Sequence, residues 1–438
     1  PKACPSNLLV SLGGGTSELH VVLGNQACDL DSMVSALVYA YYLSKTAPDR
    51  KAAFVPVLNI PRSEFALRGE CVFLLRECGL SEETLVFRGD VDLHGLHRDG
   101  RLTLTLVDHN VLPRDDAALE RAVTEVIDHR PVERPFSPAC AVTVEPVGSC
   151  ATLVAARILQ RAPDVLDRQL AHVLRSTILL DCINMAPEAG KVTPKDSEYV
   201  AALESRFSDL PPRVVVFDSL QKAKFDVSGL TIEQMLRKDL KVVSGGGLQV
   251  AISAVYVRLE ELLARPGVEE AFEEFCRGHG YSVLVVMTIS FGPKSQPFRQ
   301  LAVYSPHSDE REWVSQALEE AECPSLQLAP MESPCPDIGA YRQGNGLASR
   351  KKVLPIVGDL LKAREGPADV CRVWGGRLAE EACRDEEGCL PPTPMNSLVE
   401  GCPLDGGLPK LTPEAILEKF NKMAAEGPPS ASTSPDCR

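Results

Sequence analysis

Two aspartates one residue apart, Asp29 and Asp31, sit in Asn25-Gln26-Ala27-Cys28-Asp29-Leu30-Asp31-Ser32, just after the apolar run His20 to Leu23. Three more groups occupy the same kind of place. Asp108-His109-Asn110 follows Leu102 to Val107, Asp128-His129-Arg130 follows Val123 to Ile127, and Asp181 follows Ile178-Leu179-Leu180. Carboxylates brought together repel one another, and divalent cations neutralise them. A mainly oxygen set with one imidazole suits Mg²⁺ or Mn²⁺ rather than structural zinc. Two such ions about 3.5–4 Å apart can activate a water and hold both ends of an in-line phosphoryl displacement. The pattern reads as a two-metal phosphoesterase site.

Each cluster alone is weak. An Asp-x-Asp on a loop is ordinarily a solvated turn. Read singly, His129 fits a satisfied core histidine, and Asp181 fits a helix-end cap. Their common position is more specific. In an open parallel α/β sheet, ligands bind outside the carboxyl ends of the strands, so carboxylates at several strand ends converge on one cleft.

The elements that would position them follow from periodicity. Short β-rich runs at His20–Leu23, Ala53–Leu58, Leu85–Phe87, Leu102–Val107 and Val123–Ile127 alternate with helical stretches such as Ser32–Lys45 and Ser149–Arg161. Such alternation predicts an α/β fold, a doubly wound parallel sheet with helices on both faces. Gln169 to Cys182 reads as a buried helix that delivers Asp181.

The texture changes near residue 206. Pro211-Pro212 breaks the chain, and 222–239 reads as a linker and helix. Longer strands follow at Lys241–Ser244, Leu248–Val257, Tyr281–Phe291 and Phe298–Tyr304. Gly245-Gly246-Gly247 and Gly292-Pro293-Lys294-Ser295 read as hairpin turns, and Glu260–Gly278 and Ser308–Glu322 as helices. This is a second, mixed α+β domain. The expected organisation is an extension at 1–19, a catalytic domain at 20–205, a substrate-binding domain at 206–365 and a disordered tail at 366–438. Within the tail, Thr412-Pro413 starts an apolar stripe through Ile416, Leu417, Phe420, Met423 and Ala424. A stripe with no core to join suits partner docking, and a frayed helix reads equally well.

Composition bounds the partners. The chain has 438 residues, a formal net charge of −14 and 44% hydrophobic residues. The acidic balance argues against broad nucleic-acid or anionic-membrane binding. No apolar stretch approaches the roughly 20 residues of a membrane span. Fifteen scattered cysteines, an odd number with no C-x-x-C pair, fit a reducing compartment. The expected location is cytoplasmic, with the nucleus or cell adhesions as further sites.

The four clusters resemble the motifs of the DHH phosphoesterase superfamily, which includes manganese-dependent family II inorganic pyrophosphatases and exopolyphosphatases. Lys238-Asp239-Leu240-Lys241 is similar to the D-x-K signature of the DHHA2-type domain that accompanies this catalytic domain, and Ser349-Arg350-Lys351-Lys352 to its S-R-K phosphate motif. Read alone, that basic run is an ordinary solvated turn. Ser219 to Asp226 and Pro391 to Leu404 resemble the animal prune exopolyphosphatases within the superfamily.

The resemblance implies two divalent cations, Mg²⁺ foremost and Mn²⁺ as the alternative. One would be held by Asp31, Asp108, His129 and Asp181, the other by Asn25, Asp29 and a bridging Asp108. Asp31, Asp108, His109 and Arg130 would be catalytic, with Asn110 in support. Arg130, Lys241, Arg350 and Lys351 would grip phosphate. Two positions depart from the family, which usually carries His at the places of Asn25 and Arg130, so one ion loses its nitrogen ligand. The implied substrate is short-chain inorganic polyphosphate, cleaved at its terminal phosphate. A cyclic-nucleotide (cAMP) phosphodiesterase is the alternative enzyme. The rival from another class is a signalling protein with a residual site, binding partners such as a nucleoside diphosphate kinase through its tail.

Overall fold

The computed structural model describes residues 18–47, 52–133, 135–291 and 297–373. They divide into two compact units, with the boundary between Leu240 and Lys241.

The first unit is built on five strands, β1 (Leu19–Leu23), β2 (Ala53–Val57), β3 (Leu102–Val107), β4 (Val123–Asp128) and β5 (Ala141–Val144). Their order is β2-β1-β3-β4-β5, and every neighbouring pair is parallel. Parallel pairs need crossovers. Helices α1 (Leu30–Thr46), α2 (Gly69–Glu77), α3 (Leu93–Arg98), α4 (Cys150–Arg161), α5 (Arg168–Asp181), α6 (Pro194–Arg206), α7 (Arg213–Phe225) and α8 (Ile232–Lys238) complete the unit.

Successive strand residues point to opposite faces. Val22 joins the core made with α1, α4 and α5, while Leu19, Val21 and Leu23 join a second core with Leu93, Leu112 and Leu119. The sheet is therefore covered on both sides, which is why its strands read as continuous apolar runs. This doubly wound sheet is the one expected. Its order places a switch point between β1 and β3, where crossovers leave on opposite faces and a cleft opens at the strand ends.

Some elements differ from the sequence reading. Leu85–Phe87 is no strand. It makes one bridge, Leu58 to Phe87, between two 3-10 turns. β5 was not anticipated, being a short, half-exposed edge. Pro211-Pro212 does not mark the boundary of the compact units. Pro212 caps α7, which packs so tightly on α2 that a Cβ at Gly69 would lie 2.2 Å from Ala223 O. A Thr231/Gln234 capping box then starts α8, so the break expected near residue 206 falls inside the first unit.

The second unit holds a mixed sheet of β6 (Leu240–Gly245), β7 (Leu248–Val255), β8 (Val283–Phe291), β9 (Pro297–Tyr304), β10 (Leu328–Met331) and β11 (Ile338–Gln343), in the order β10-β11-β9-β8-β7-β6. β7 and β8 are parallel, and β8-β9, β9-β11 and β10-β11 antiparallel. The expected helix Glu260–Gly278 is two, α9 (Leu259–Leu263) and α10 (Val268–His279), because Pro266-Gly267 interrupts it and Gly267 takes φ +74°. β10 and β11 were missed: both are short, and Pro330 obscures the alternation of β10. Pro330 is tolerated since β10 is an edge strand.

After α11 (Ser308–Glu319), α12 (Arg350–Val373) packs Val353, Val357 and Leu361 into this unit's core. It runs past residue 366, where the tail was expected to begin. The turn Gly292–Ser295 and the stripe Ile416–Ala424 lie outside the described residues. Among the described residues no helix is long and apolar enough to cross a membrane.

Candidate metal centre

The first cluster is a tight strand-to-helix turn. Ser32 Oγ accepts a hydrogen bond from Asn25 N at 2.7 Å and would lie 2.3 Å from a Cβ at Gly24, so only glycine fits there. Asp29 is the N-cap of α1, accepting from Ser32 N at 3.1 Å. Asp31, in the first turn, is buried. Its carboxylate accepts from Cys150 N at 2.6 Å and Ala151 N at 2.8 Å. Those are the first N–H groups of α4, whose positive end favours an anion.

Asp108 follows β3 and has no exposed surface. Its φ is +62°, a left-handed conformation that costs a side-chain-bearing residue energy and clusters at functional sites. Asn25 secures it, donating from Nδ2 to Asp108 Oδ2 at 2.8 Å and to Asp108 O at 3.2 Å. The Asn25 amide oxygen accepts from Cys28 N at 3.0 Å.

His129 follows β4. Its Nδ1 lies 2.8 Å from Val147 O. A carbonyl only accepts, so Nδ1 carries the proton and Nε2 faces the carboxylates. Nε2 lies 3.3 Å from Asp108 Oδ1 and 4.0 Å from Asp31 Oδ2. Ligand atoms of Asp31, Asp108 and His129 all fall within 4.8 Å of one another.

Asp181 closes α5 just outside this triad. Its Oδ2 is buried with no hydrogen-bond partner among the described residues. Burial, then Asp31 and Asp29, push its carboxyl well above the usual range.

The electrostatics describe a site that wants a cation. Burial and Asp31 push Asp108 up to about 8. His129 is held at about 10: burial works against its charge, but Asp108 and Asp31 outweigh it. Asp108 Oδ1, His129 Nε2 and Asp181 Oδ2 lack hydrogen bonds among the described residues. Such orphans are rare in folded proteins, and a divalent ion held by the triad would satisfy the first two. The donor set thus fits the group it implies.

Beside the triad, Arg130 brings Nη2 to 3.6 Å from Asp108 Oδ1, and its Nε and Nη2 make no hydrogen bond among the described residues. Burial would lower its pKa, yet Asp108 and Asp128 raise it. His109 is buried and held below its ordinary pKa by that burial. Its Nδ1 lies 2.9 Å from Val107 O, so Nε2 is a lone pair with no partner among the described residues. Asn110 ties loops together, donating to Asp128 Oδ2 at 2.6 Å and accepting from Glu133 N at 3.1 Å.

Lys241, Arg350 and Lys351 belong to the second unit. Lys241 is the second residue of the edge strand β6, and Arg350 and Lys351 lie in the first turn of α12. Gly358 approaches Val243, and Gly246 approaches Arg364. Strand and helix therefore run the same way, which sets Lys241 and the N-terminus of α12 toward one end of the unit. A helix N-terminus with two cations is a ready phosphate site.

Comparison with known proteins also finds two parts, the second beginning before the boundary of the compact units. Residues 20–183 match the DHH family, N-terminal domain, and residues 218–360 match the DHHA2 domain. Exopolyphosphatase PRUNE1 of Bos taurus is 53% identical over 95% of this chain and 96% of its own length. The chain belongs to the DHH family. A putative exopolyphosphatase of Schizosaccharomyces pombe is 30% identical, covering 81% of this chain and 95% of the relative. A probable manganese-dependent inorganic pyrophosphatase of Streptococcus mutans is 27% identical, covering 61% and 81%.

The DHH motifs account for the acids but not for what holds them. The sequence reading missed the N–H groups of Cys150 and Ala151, although a helix start at Ser149 was legible. It also missed Asn59, whose Nδ2 donates to Gly24 O at 3.1 Å. Asp196 was missed too. It is buried and binds Gly148 N at 2.8 Å and Thr152 Oγ1 at 2.6 Å, bracing the start of α4.

Proposed function

We propose that this chain is a metal-dependent phosphohydrolase that removes the terminal phosphate of short inorganic polyphosphates. The observation that carries the reading is the convergence of Asp31, Asp108 and His129 at the β1/β3 switch point. The exopolyphosphatase names of full-length relatives support the substrate class.

The residues divide the work. Asp31 is aimed by two N–H groups of α4, which with His129 oppose the rise that burial gives its carboxyl. His129 is fixed in one tautomer by Val147 O, as metal-binding histidines usually are. Asp108 lies beside His129 and would hold the ions with it and Asp31, helped by Asp29 and Asp181, while Asn25 secures Asp108. When bound, the ions supply Lewis acidity and an activated water. Arg130 can offer its unengaged N–H groups to a phosphate oxygen, and a charge-assisted bond of that kind contributes roughly 1.5–3 kcal/mol. Neutral His109 can accept a proton at Nε2. Lys241, Arg350 and Lys351 give the second unit a cationic end whose chemistry suits phosphate. Hard carboxylate oxygens favour Mg²⁺, and the single imidazole admits Mn²⁺.

Phosphate release from tripolyphosphate, pyrophosphate and cAMP, each with Mg²⁺ or Mn²⁺, tests the proposal. Tripolyphosphate should be cleaved fastest. Cleavage of cAMP alone would replace the reading with a phosphodiesterase, and no turnover of any would leave an interaction protein. Because α12 extends to Val373, removal of 374–438 should keep phosphate release and lose any partner docked through the tail.

A further inference from the structure

Arg68 is 1% exposed, and a guanidinium so buried is costly unless it is well paired. Its pairing reaches the metal loop. Nε and Nη2 both donate to Ala27 O, at 3.0 and 2.8 Å, and Nη1 donates to Glu64 O at 2.9 Å. Ala27 lies midway between Asn25 and Asp29. Two donors on its carbonyl fix the path of a loop that also carries Cys28 at φ +48°.

The hold extends further. The Glu64 carboxylate stands 3.6 Å from Arg68 Nη1, and its other oxygen is bonded by Arg237 Nη2 of α8. The next residue, Lys238, is also 1% exposed and donates from Nζ to Leu67 O at 2.5 Å. Helix α8 thus grips residues 64–67, and Arg68 carries that grip to the loop.

We propose that Arg68 is a positioning residue for the metal loop, and that the Glu64–Arg237 pair sets its hold, so that α8 tunes metal affinity. The inference rests on the metal-centre reading. Arg68 acts through Ala27 O on Asn25 and Asp29, not on substrate. Loosening it should weaken metal binding and leave turnover at saturating metal largely intact. Groups that orient ligands from behind typically change metal affinity by about 10- to 100-fold.

The test is calorimetry of Mn²⁺ binding to the metal-free full chain, with phosphate release measured against metal concentration. The variants are Arg68→Lys, Arg237→Ala, Arg237→Lys and Glu64→Gln. Arg237→Ala should weaken Mn²⁺ binding toward the lower end of that range, about tenfold, with kcat at saturating metal unchanged. Arg237→Lys should restore most of the affinity. Arg213→Ala, which breaks the Arg213–Glu204 pair elsewhere in the same unit, should leave metal affinity alone. Wild-type affinity in both Arg237→Ala and Glu64→Gln would overturn the proposal, as would an equal loss in Arg213→Ala. If Arg68→Lys does not fold, the Arg237 and Glu64 variants still decide. A wild-type chain that binds no Mn²⁺ would instead defeat the metal-centre reading.

Discussion

Asn25 turns its amide nitrogen, not its oxygen, toward Asp108: Nδ2 donates to Oδ2 at 2.8 Å while Oδ1 accepts from Cys28 N at 3.0 Å. The amide oxygen that the sequence offers as a ligand is already engaged. To face an ion it would have to leave the Cys28 N–H unpaired and bring oxygen against a carboxylate. Residue 25 therefore serves here as a clamp on Asp108.

Asn25→Ala should lower turnover by about 10- to 100-fold, the range for groups that orient a metal ligand, because Asp108 Oδ2 and Cys28 N–H both lose a partner. Asn25→His sets an imidazole within reach of Asp108, and imidazole suits transition metals. It should shift preference from Mg²⁺ toward Mn²⁺ in activity measured against each ion. An unchanged order would mean that residue 25 is a clamp only.

Metal affinity should rise with pH. A ligating site needs Asp108 ionised and His129 neutral. Asp108 is pushed up to about 8 by burial and Asp31, and His129 is held at about 10 by Asp108 and Asp31 against burial. At neutral pH the metal-free site therefore holds protons that the ion must displace. Affinity should climb through about pH 8 and onward, by about tenfold per pH unit for each proton released. Mn²⁺ calorimetry in buffers of different ionisation enthalpy reads that release. Binding without proton release would contradict the assignment of these two ligands.

Asp108→Asn should abolish phosphate release while preserving the fold. The amide keeps the side chain's shape and removes a carboxylate from beside Asp31, but it cannot supply bridging charge. Circular dichroism and a cooperative thermal transition report on the fold. Comparable turnover in a folded Asp108→Asn chain would rule out a bridging ligand at this position.

Arg350→Ala and Lys351→Ala should raise KM for tripolyphosphate and leave Mn²⁺ binding unchanged. Both residues stand in the first turn of α12, where the helix end and their charges favour phosphate. Each lost charge-assisted contact should cost about 1.5–3 kcal/mol of substrate binding. A fall in metal affinity with KM unchanged would move both residues out of the phosphate site.

Much of this molecule is legible in one dimension. Leu102–Val107 and the buried helix ending at Asp181 announce themselves because strand and helix periodicity are local properties. The acids that follow them are then placed at strand and helix ends without further information. The misses share a physical cause. β5 and β10 are short edges whose half-exposed faces carry little apolar pattern. The chain decided only in three dimensions who holds the acids. Asp31 takes its N–H partners from Cys150 and Ala151, more than a hundred residues on, and Ala27 O takes Arg68, while Arg237 reaches back to Glu64. The sequence by itself determined which side chains could bind a cation. Packing determined which way each one points, because a buried polar group must accept whatever partner the fold brings beside it.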